Sequence, residues 1–315
     1  MRDIAVFSGH AHPELASEIC GYLGTPLSPS RLSRFANDCL EVQLQENCRQ
    51  RDVYLVQPLV PPVQENLVEL LLMLDAARGA SAARITAVIP HYAYARSDKK
   101  DAPRISIAAR LVADLLATAG ADRVLTLTLH SPQVHGFFSV PVDHLNALKV
   151  LARHCRRRNL ANTVVVSPDL GNIKEASHFA RMLELPVAAG SKKRLSDDRV
   201  VIDALVGDVR GKNVIVFDDE VANGGTIIEV LGKLREERVK RIVVACTHGL
   251  FTGKAISRLR RQRDITEIVA TDTVPVPVEK RLPNMTVLSV APLLAEAIRR
   301  IHVGESVSGL FDGGI

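Results

Sequence analysis

The stretch VIVFDDEVANGGTIIEVL, Val214 to Leu231, decides how the chain folds. Its first four residues, Val214 to Phe217, form an unbroken apolar run of strand length, as expected of a strand buried on both faces of a parallel sheet. Asp218 and Asp219 follow, then Gly224-Gly225-Thr226, and Thr226 to Glu237 reads as a helix. Strand, polar loop and helix make the repeating half of an α/β fold. The plan recurs on either side. Arg241 to Cys246 reads as the next strand, and earlier in the chain Val53–Gln57 and Arg84–Pro90 read as strands around a helix at Asn66–Ala77. Val124–Leu129 and Thr163–Val166 add two short apolar runs of the same kind. The repeated order predicts two related α/β domains, each a mostly parallel sheet flanked by helices, although the halves share too few identities to prove a duplication.

Composition narrows the class. A chain of 315 residues is long enough for two cores, and 47% hydrophobic with 24% charged residues suits a soluble globular protein. There is no apolar stretch of spanning length, and Met1-Arg2-Asp3-Ile4 leads directly into a strand-like run without a signal-peptide pattern. The five cysteines are scattered and form no C-x-x-C pair, which argues against a disulfide framework or structural zinc and for a reducing cytoplasm. A net charge of +5 suits nucleic acid, a membrane surface or a phosphorylated small molecule. Aromatic residues are only 4% and Trp is absent, so a stacking platform for single strands is poorly supported. The basic runs His154–Arg158 and Arg258–Arg263 therefore read as solvated helix faces or subunit contacts.

In open parallel sheets a ligand sits beyond the carboxyl ends of the strands. Polar residues recur at those ends: His130 after the Val124 run, Asp169 after the Thr163 run, Asp218 and Asp219 after the Val214 run. One mouth lined by a histidine and three carboxylates makes a divalent-metal site, and Mg²⁺ suits such oxygen ligands better than zinc. A carboxylate pair can also accept hydrogen bonds from two vicinal sugar hydroxyls. Asp169 alone could equally be a turn former; adjacent Asp218 and Asp219 repel each other without a counter-ion. Gly224-Gly225-Thr226 can turn backbone N–H groups toward an anion at a helix start, while Thr226 and Glu229 also fit a capping box. The G-x-x-x-x-G-K-[ST] motif is absent, which excludes a P-loop ATPase reading. HYAYARSDKKDAPR, residues 91–104, packs four basic residues around two aspartates. GSKKRLSDD, residues 190–198, reads as a mobile loop whose Lys192, Lys193 and Arg194 could close over a polyphosphate.

Together these stretches resemble the ribose-phosphate pyrophosphokinase (phosphoribosyl pyrophosphate synthetase) family. The resemblance runs from FSGHAHPELA to LLAEAIRRIHVGESVSGLF, through VIPHYAYARSDKK, TLHSPQVHGFF, VPVDHL, VVVSPDLGN and DDEVANGGT in the family's order. It implies two phosphoribosyltransferase-like domains, over residues 1–145 and 146–285, with 286–315 packing across both. The implied reaction moves the β,γ-diphosphoryl group of Mg-ATP to the C1 hydroxyl of ribose 5-phosphate, with Mg²⁺ as cofactor. By motif, His130 and Asp169 would meet metal, and Phe35, Asn37, Arg96, Asp101 and His130 would meet ATP. Asp218 and Asp219 would bind the ribose hydroxyls, Asn223, Gly224, Gly225 and Thr226 the sugar phosphate, and Lys192 and Arg194 the transition state. The resemblance also implies a homo-oligomer built on a dimer, up to a hexamer, with adenine met by a neighbouring subunit and no nucleic-acid or membrane partner. The departures cluster at this site. Ala222 and Asn223 stand where the family loop has Asp and Thr, Cys39 replaces a glutamate, Ser97 a glutamine, Thr128 an aspartate and Asn172 a glycine. Each removes or alters a polar contact, which leaves open an active enzyme, a transferase for another pentose phosphate or nucleotide, and a non-catalytic regulatory relative.

Overall fold

The computed structural model describes residues 3–196 and 199–311, with side chains outside 192–202. It divides into two units, Met1–Asn146 with Ser289–Ile315, and Ala147–Leu288. In chain order the first unit contains β1 (Ile4–Ser8), α1 (Pro13–Leu23), β2 (Leu27–Ser28), β3 (Ser30–Arg34), β4 (Leu40–Leu44) and β5 (Asp52–Val56). It continues through α2 (Val63–Gly79), β6 (Arg84–Ile89), α3 (Ala108–Ala119), β7 (Arg123–Leu127) and β8 (Val142–Leu145). The second unit runs α4 (Leu148–Cys155), β9 (Thr163–Ser167), α5 (Ile173–Met182), β10 (Val187–Ser196), β11 (Arg199–Val206) and β12 (Asn213–Val221). It ends with α6 (Gly225–Glu236), β13 (Arg241–Gly249), α7 (Ala255–Arg260), β14 (Ile265–Thr271) and β15 (Met285–Leu288). The last helix, α8 (Ala291–Val303), belongs to the first unit.

The first unit's sheet has the order β2-β1-β5-β6-β7-β8, parallel throughout. β5 is buried at every position, as an apolar strand between two helical layers should be. On α2, Leu67, Leu70, Leu74 and Ala77 recur at helical spacing and pack into the same core as Phe7, Leu55 and Ala87. α8 is tied to the sheet by a buried acid. Asp52 accepts from Arg84 Nε at 2.7 Å, lies 2.8 Å from His302 Nδ1, and Arg84 also donates to the Ile301 carbonyl at 3.0 Å.

The strand order reverses beside β1, and a buried acid stands close to that strand's carboxyl end. The buried Glu69 carboxylate takes the His10 N–H at 3.1 Å, His10 Nδ1 at 2.6 Å and Gln57 Nε2 at 2.6 Å. Gly9 permits this approach, since a Cβ there would stand 2.2 Å from Gln57 Oε1. At the far side, Thr128 turns left-handed with φ 42, and the next N–H, of Leu129, is caught by half-buried His144 Nε2 at 2.8 Å. Burial, with a smaller contribution from His135, lowers the His144 pKa to about 4 and keeps the ring neutral, as an N–H acceptor must be.

The second unit's sheet has the order β11-β10-β9-β12-β13-β14-β15, with β11 alone antiparallel. Setting β11 aside, the first and second sheets follow the same plan, with the order reversing beside β9 as it does beside β1. β12 alternates as period two demands. Val214 and Val216 pack with Ile227, Leu231 and Leu234 of α6, while Ile215 and Phe217 pack with Leu151 of α4 and Phe179 of α5. Phe217 and Phe179 stack with ring centroids 4.6 Å apart.

Three expectations change. Gly190–Ser196, read as a loop, is strand: β10 pairs with β11 through Ala189↔Val206 and Gly190↔Leu205. Its own polar composition concealed this, because the β-branched anchor, Val200-Val201-Ile202, is on the partner strand. Asp197 and Asp198 lie outside the described residues. Asp218 and Asp219 are within β12, not after it, since the parallel ladder continues through Asp218↔Cys246 and Glu220↔His248. Finally, α6 opens on Gly224 at φ 75 without a side-chain cap among the described residues, so the Thr226–Glu229 capping box is not formed.

Candidate functional site

β9 and β12 are neighbours whose connections leave in opposite directions, so the crevice beyond their carboxyl ends is the second unit's candidate ligand position. After β9, the Ser167 hydroxyl donates to the Asp169 carbonyl at 2.6 Å, and Asp169 Oδ1 accepts the Asn172 N–H at 3.1 Å. Gly171 allows the tight turn, because a Cβ there would lie 3.1 Å from Asp169 Oδ1. Both bonds fix Asp169 at the entry to α5, which is the turn role.

Across the crevice, Asp218 is half-buried and Asp219 is 5% exposed. The Asn172 amide donates to Asp218 Oδ1 at 3.2 Å, and the same oxygen takes the Asp219 N–H at 3.0 Å. Asn172, noted in the sequence only as a lost glycine, is therefore part of the acid pair's surroundings. Burial first, then the Asp219 and Asp169 carboxylates, push the Asp218 pKa well above the usual range. Three acids so arranged are short of positive charge, and their oxygens match a hard cation or hydroxyl donors. Among the described residues no three His, Cys, Asp or Glu side chains form a complete metal cage. That is compatible with Mg²⁺, which is usually held by one or two carboxylates, waters and substrate phosphates. Beside Asp218 in the ladder, the buried Cys246 thiol is pushed up by burial and by the Asp218, Asp219 and Glu220 carboxylates, so it stays protonated and unreactive.

The loop between β12 and α6 is braced by the segment before α7. Phe251 N–H donates to the Val221 carbonyl at 3.1 Å and Thr252 N–H to the Ala222 carbonyl at 2.9 Å. Asn223 Oδ1 accepts the Gly225 N–H at 2.8 Å, an Asx turn. Arg258 Nη1 donates to the Asn223 carbonyl at 3.0 Å. The sequence placed Arg258 in a solvated basic run; no local pattern signals that its guanidinium reaches this loop.

The other candidates lie in the first unit or on β10. Phe35 is exposed just after β3, and Asn37 shapes the β3–β4 turn by accepting the Cys39 N–H at 3.3 Å. Exposed Arg96 ends a short 3₁₀ turn, and Asp101 pairs with Lys99 at 3.5 Å. That loop is joined to the segment after exposed His130, because the Ser131 hydroxyl donates to Asp98 Oδ2 at 2.6 Å. Ser97, at a departure position, donates to the Ser106 carbonyl at 3.2 Å and takes the Ala108 N–H at 3.1 Å, which closes the loop on α3. Lys192 and Arg194 are on β10, with their side chains outside the described residues. The His154–Arg158 run is structural: His154 and Arg158 both pair with Glu267. All five cysteines are free thiols, and Cys39 is the exposed one. Among the described residues no helix is long and apolar enough to cross a membrane.

Residues 4–120 match the N-terminal domain of ribose phosphate pyrophosphokinase, and residues 195–312 the phosphoribosyl synthetase-associated domain. The chain is 52% identical to the ribose-phosphate pyrophosphokinase of Deinococcus radiodurans, over 98% of each protein. It is 67% identical, over 99% of its length and 98% of the other's, to a Streptomyces coelicolor protein provisionally given the same name. The crystal structure of phosphoribosylpyrophosphate synthetase from Mycobacterium smegmatis superposes with a TM-score of 0.90 at 40% identity, covering 96% of this chain and 100% of that one. With this similarity running through both units, the chain belongs to the ribose-phosphate pyrophosphokinase family.

Proposed function

We propose that the chain is a working diphosphokinase, transferring the β,γ-diphosphoryl group of ATP to the C1 hydroxyl of ribose 5-phosphate. The hydroxyl oxygen attacks the β-phosphorus and gives up its proton to solvent, the bond from that phosphorus to the α-phosphate's bridging oxygen breaks, and AMP leaves with the electron pair. The observation that carries this reading is the Asp218–Asp219 pair at the β9/β12 crevice, two acids held where hydroxyl donors or a cation would relieve their burial. Asp218 and Asp219 grip the ribose hydroxyls, and Asn223, Gly224, Gly225 and Thr226 surround the 5-phosphate. Phe35 and Asn37 meet adenine, across a subunit boundary in a homo-oligomer. Arg96 and His130 meet the ATP phosphates, Asp101 belongs to the ATP-binding set, and Lys192 and Arg194 oppose charge developing in transfer. Magnesium would supply charge neutralisation when bound with ATP, and in the second unit Asp169 is the residue that would hold it. No general base of special pKa is required; the residues position the reactants and balance charge. The compartment is the cytoplasm.

The test is AMP release from ATP with ribose 5-phosphate and Mg²⁺, by wild type and by Asp218→Asn and Asp219→Asn. Turnover by wild type and a loss of about tenfold or more in each variant are expected, because each removes a hydrogen-bond acceptor charged in the complex. A folded wild type that releases no AMP with any pentose phosphate or nucleotide overturns the reading.

A further inference from the structure

The sugar-phosphate loop has exchanged one donor for another. An anion at a helix start is normally met by backbone N–H groups. Here the Gly225 N–H is already engaged, 2.8 Å from Asn223 Oδ1. The same residue's carbonyl receives Arg258 Nη1 at 3.0 Å, and that nitrogen is 3.8 Å from where a Gly225 Cβ would stand. α7 packs beside this loop: a Cβ at Gly224 would make ordinary van der Waals contact with Ala255, 3.7 Å from its Cα. The segment leading into α7 is tied to the same loop by the Phe251 and Thr252 N–H groups, so Arg258 reaches the loop from a braced helix.

Its charge is uncommitted. Arg258 is exposed, and among the described residues it has no carboxylate partner; the nearby Asp264 is taken by Arg235 at 2.7 Å. The loop offers no acid of its own, since position 222 is alanine. A guanidinium has five N–H donors, and one is spent on the Asn223 carbonyl. The remaining fork suits the bidentate geometry of a phosphate. A brace alone would be served by a neutral donor. A brace that leaves a full positive charge beside an anion loop serves recognition as well.

We propose that Arg258 is a sugar-phosphate-binding residue, supplying to the 5-phosphate the donor that Asn223 withdraws at Gly225. The assignment deepens the ribose 5-phosphate reading above and rests on it. It predicts selectivity for the phosphate itself: Arg258 discriminates ribose 5-phosphate from ribose, which lacks the group.

The experiment measures binding of ribose 5-phosphate and of ribose to the full chain by calorimetry, with KM for ribose 5-phosphate and for ATP in parallel. Arg258→Gln is expected to weaken ribose 5-phosphate about tenfold or more while ribose and the ATP KM change far less. Arg258→Lys, which keeps the charge and loses the fork, recovers part of the loss. Equal losses for ribose and ribose 5-phosphate in both variants would show a loop brace and overturn the assignment, as would unchanged ribose 5-phosphate affinity. Failure of the underlying reading appears separately, as wild type that does not bind ribose 5-phosphate at all.

Discussion

At Asp218, burial and two neighbouring carboxylates oppose ionisation, while the Asn172 amide and the Asp219 N–H favour it. Opposition dominates, so the ionised site is strained until ligand arrives. Asp218→Asn should raise the thermal midpoint by a few degrees, about 1 kcal/mol, as activity falls; differential scanning calorimetry beside the AMP assay reads both. A lower midpoint would mean that Asp218 is already compensated in the unliganded fold. Further along the same loop, Ala222 and Asn223 can be returned to the family pattern. Ala222→Asp with Asn223→Thr removes the amide oxygen that holds the Gly225 N–H and restores an acid to the loop. The ribose 5-phosphate KM is expected to shift severalfold, and an unchanged KM would show that these two positions do not tune acceptor binding. The sequence exposed these swaps plainly, because a missing Asp or Thr is visible in a motif. It did not expose Asn172 or Arg258 as neighbours of the acid pair and the loop, since each meets its partner from a separate element.

Elements were legible where one segment carries its own signal. β5, β6, β9 and β12 are apolar runs that need both faces buried, and α2 shows its helical period within a single stretch. β10 was not legible, because pairing with β11 and not its own residues makes it a strand. Support of the segment leading to His130 was also hidden. It depends on β8 delivering His144 to the Leu129 N–H just past the left-handed Thr128. With a folded pKa lowered to about 4 against an ordinary 6.5, His144 favours folding above pH 6.5, and the benefit drains away as pH falls toward 4. The span corresponds to roughly 3 kcal/mol. His144→Gln keeps an acceptor without a titrating group, so its urea stability should be flatter than wild type between those pH values. His144→Leu should lose about 1–3 kcal/mol at neutral pH, the cost of leaving a buried N–H without its acceptor. Equal pH slopes for wild type and His144→Gln would remove His144 from this role.

Across the whole molecule, one strand order occurs twice, and different acids stand at the two reversal points. In the first unit the Glu69 carboxylate already sits on the His10 N–H, as a bound anion would. Glu69→Ala should cost about 3 kcal/mol or more in chemical unfolding, because Gln57 and His10 lose their buried partner. A neutral result would show that water replaces it without penalty. The return of α8 to the first unit, through Asp52, Arg84 and His302, was out of reach of local patterns because residues 52 and 302 meet only in the fold. In solution the mass should be at least twice the 34.3 kDa of one chain by light scattering, and a stable monomer would exclude a shared adenine site. The thiols add a practical consequence. Burial raises Cys20 and Cys155 to about 11 and pushes Cys48 and Cys246 upward as well, while Cys39 is exposed at the β3–β4 turn beside Asn37. Alkylating dyes should therefore mark one position without any engineering, and that position is a native reporter of whatever occupies the turn.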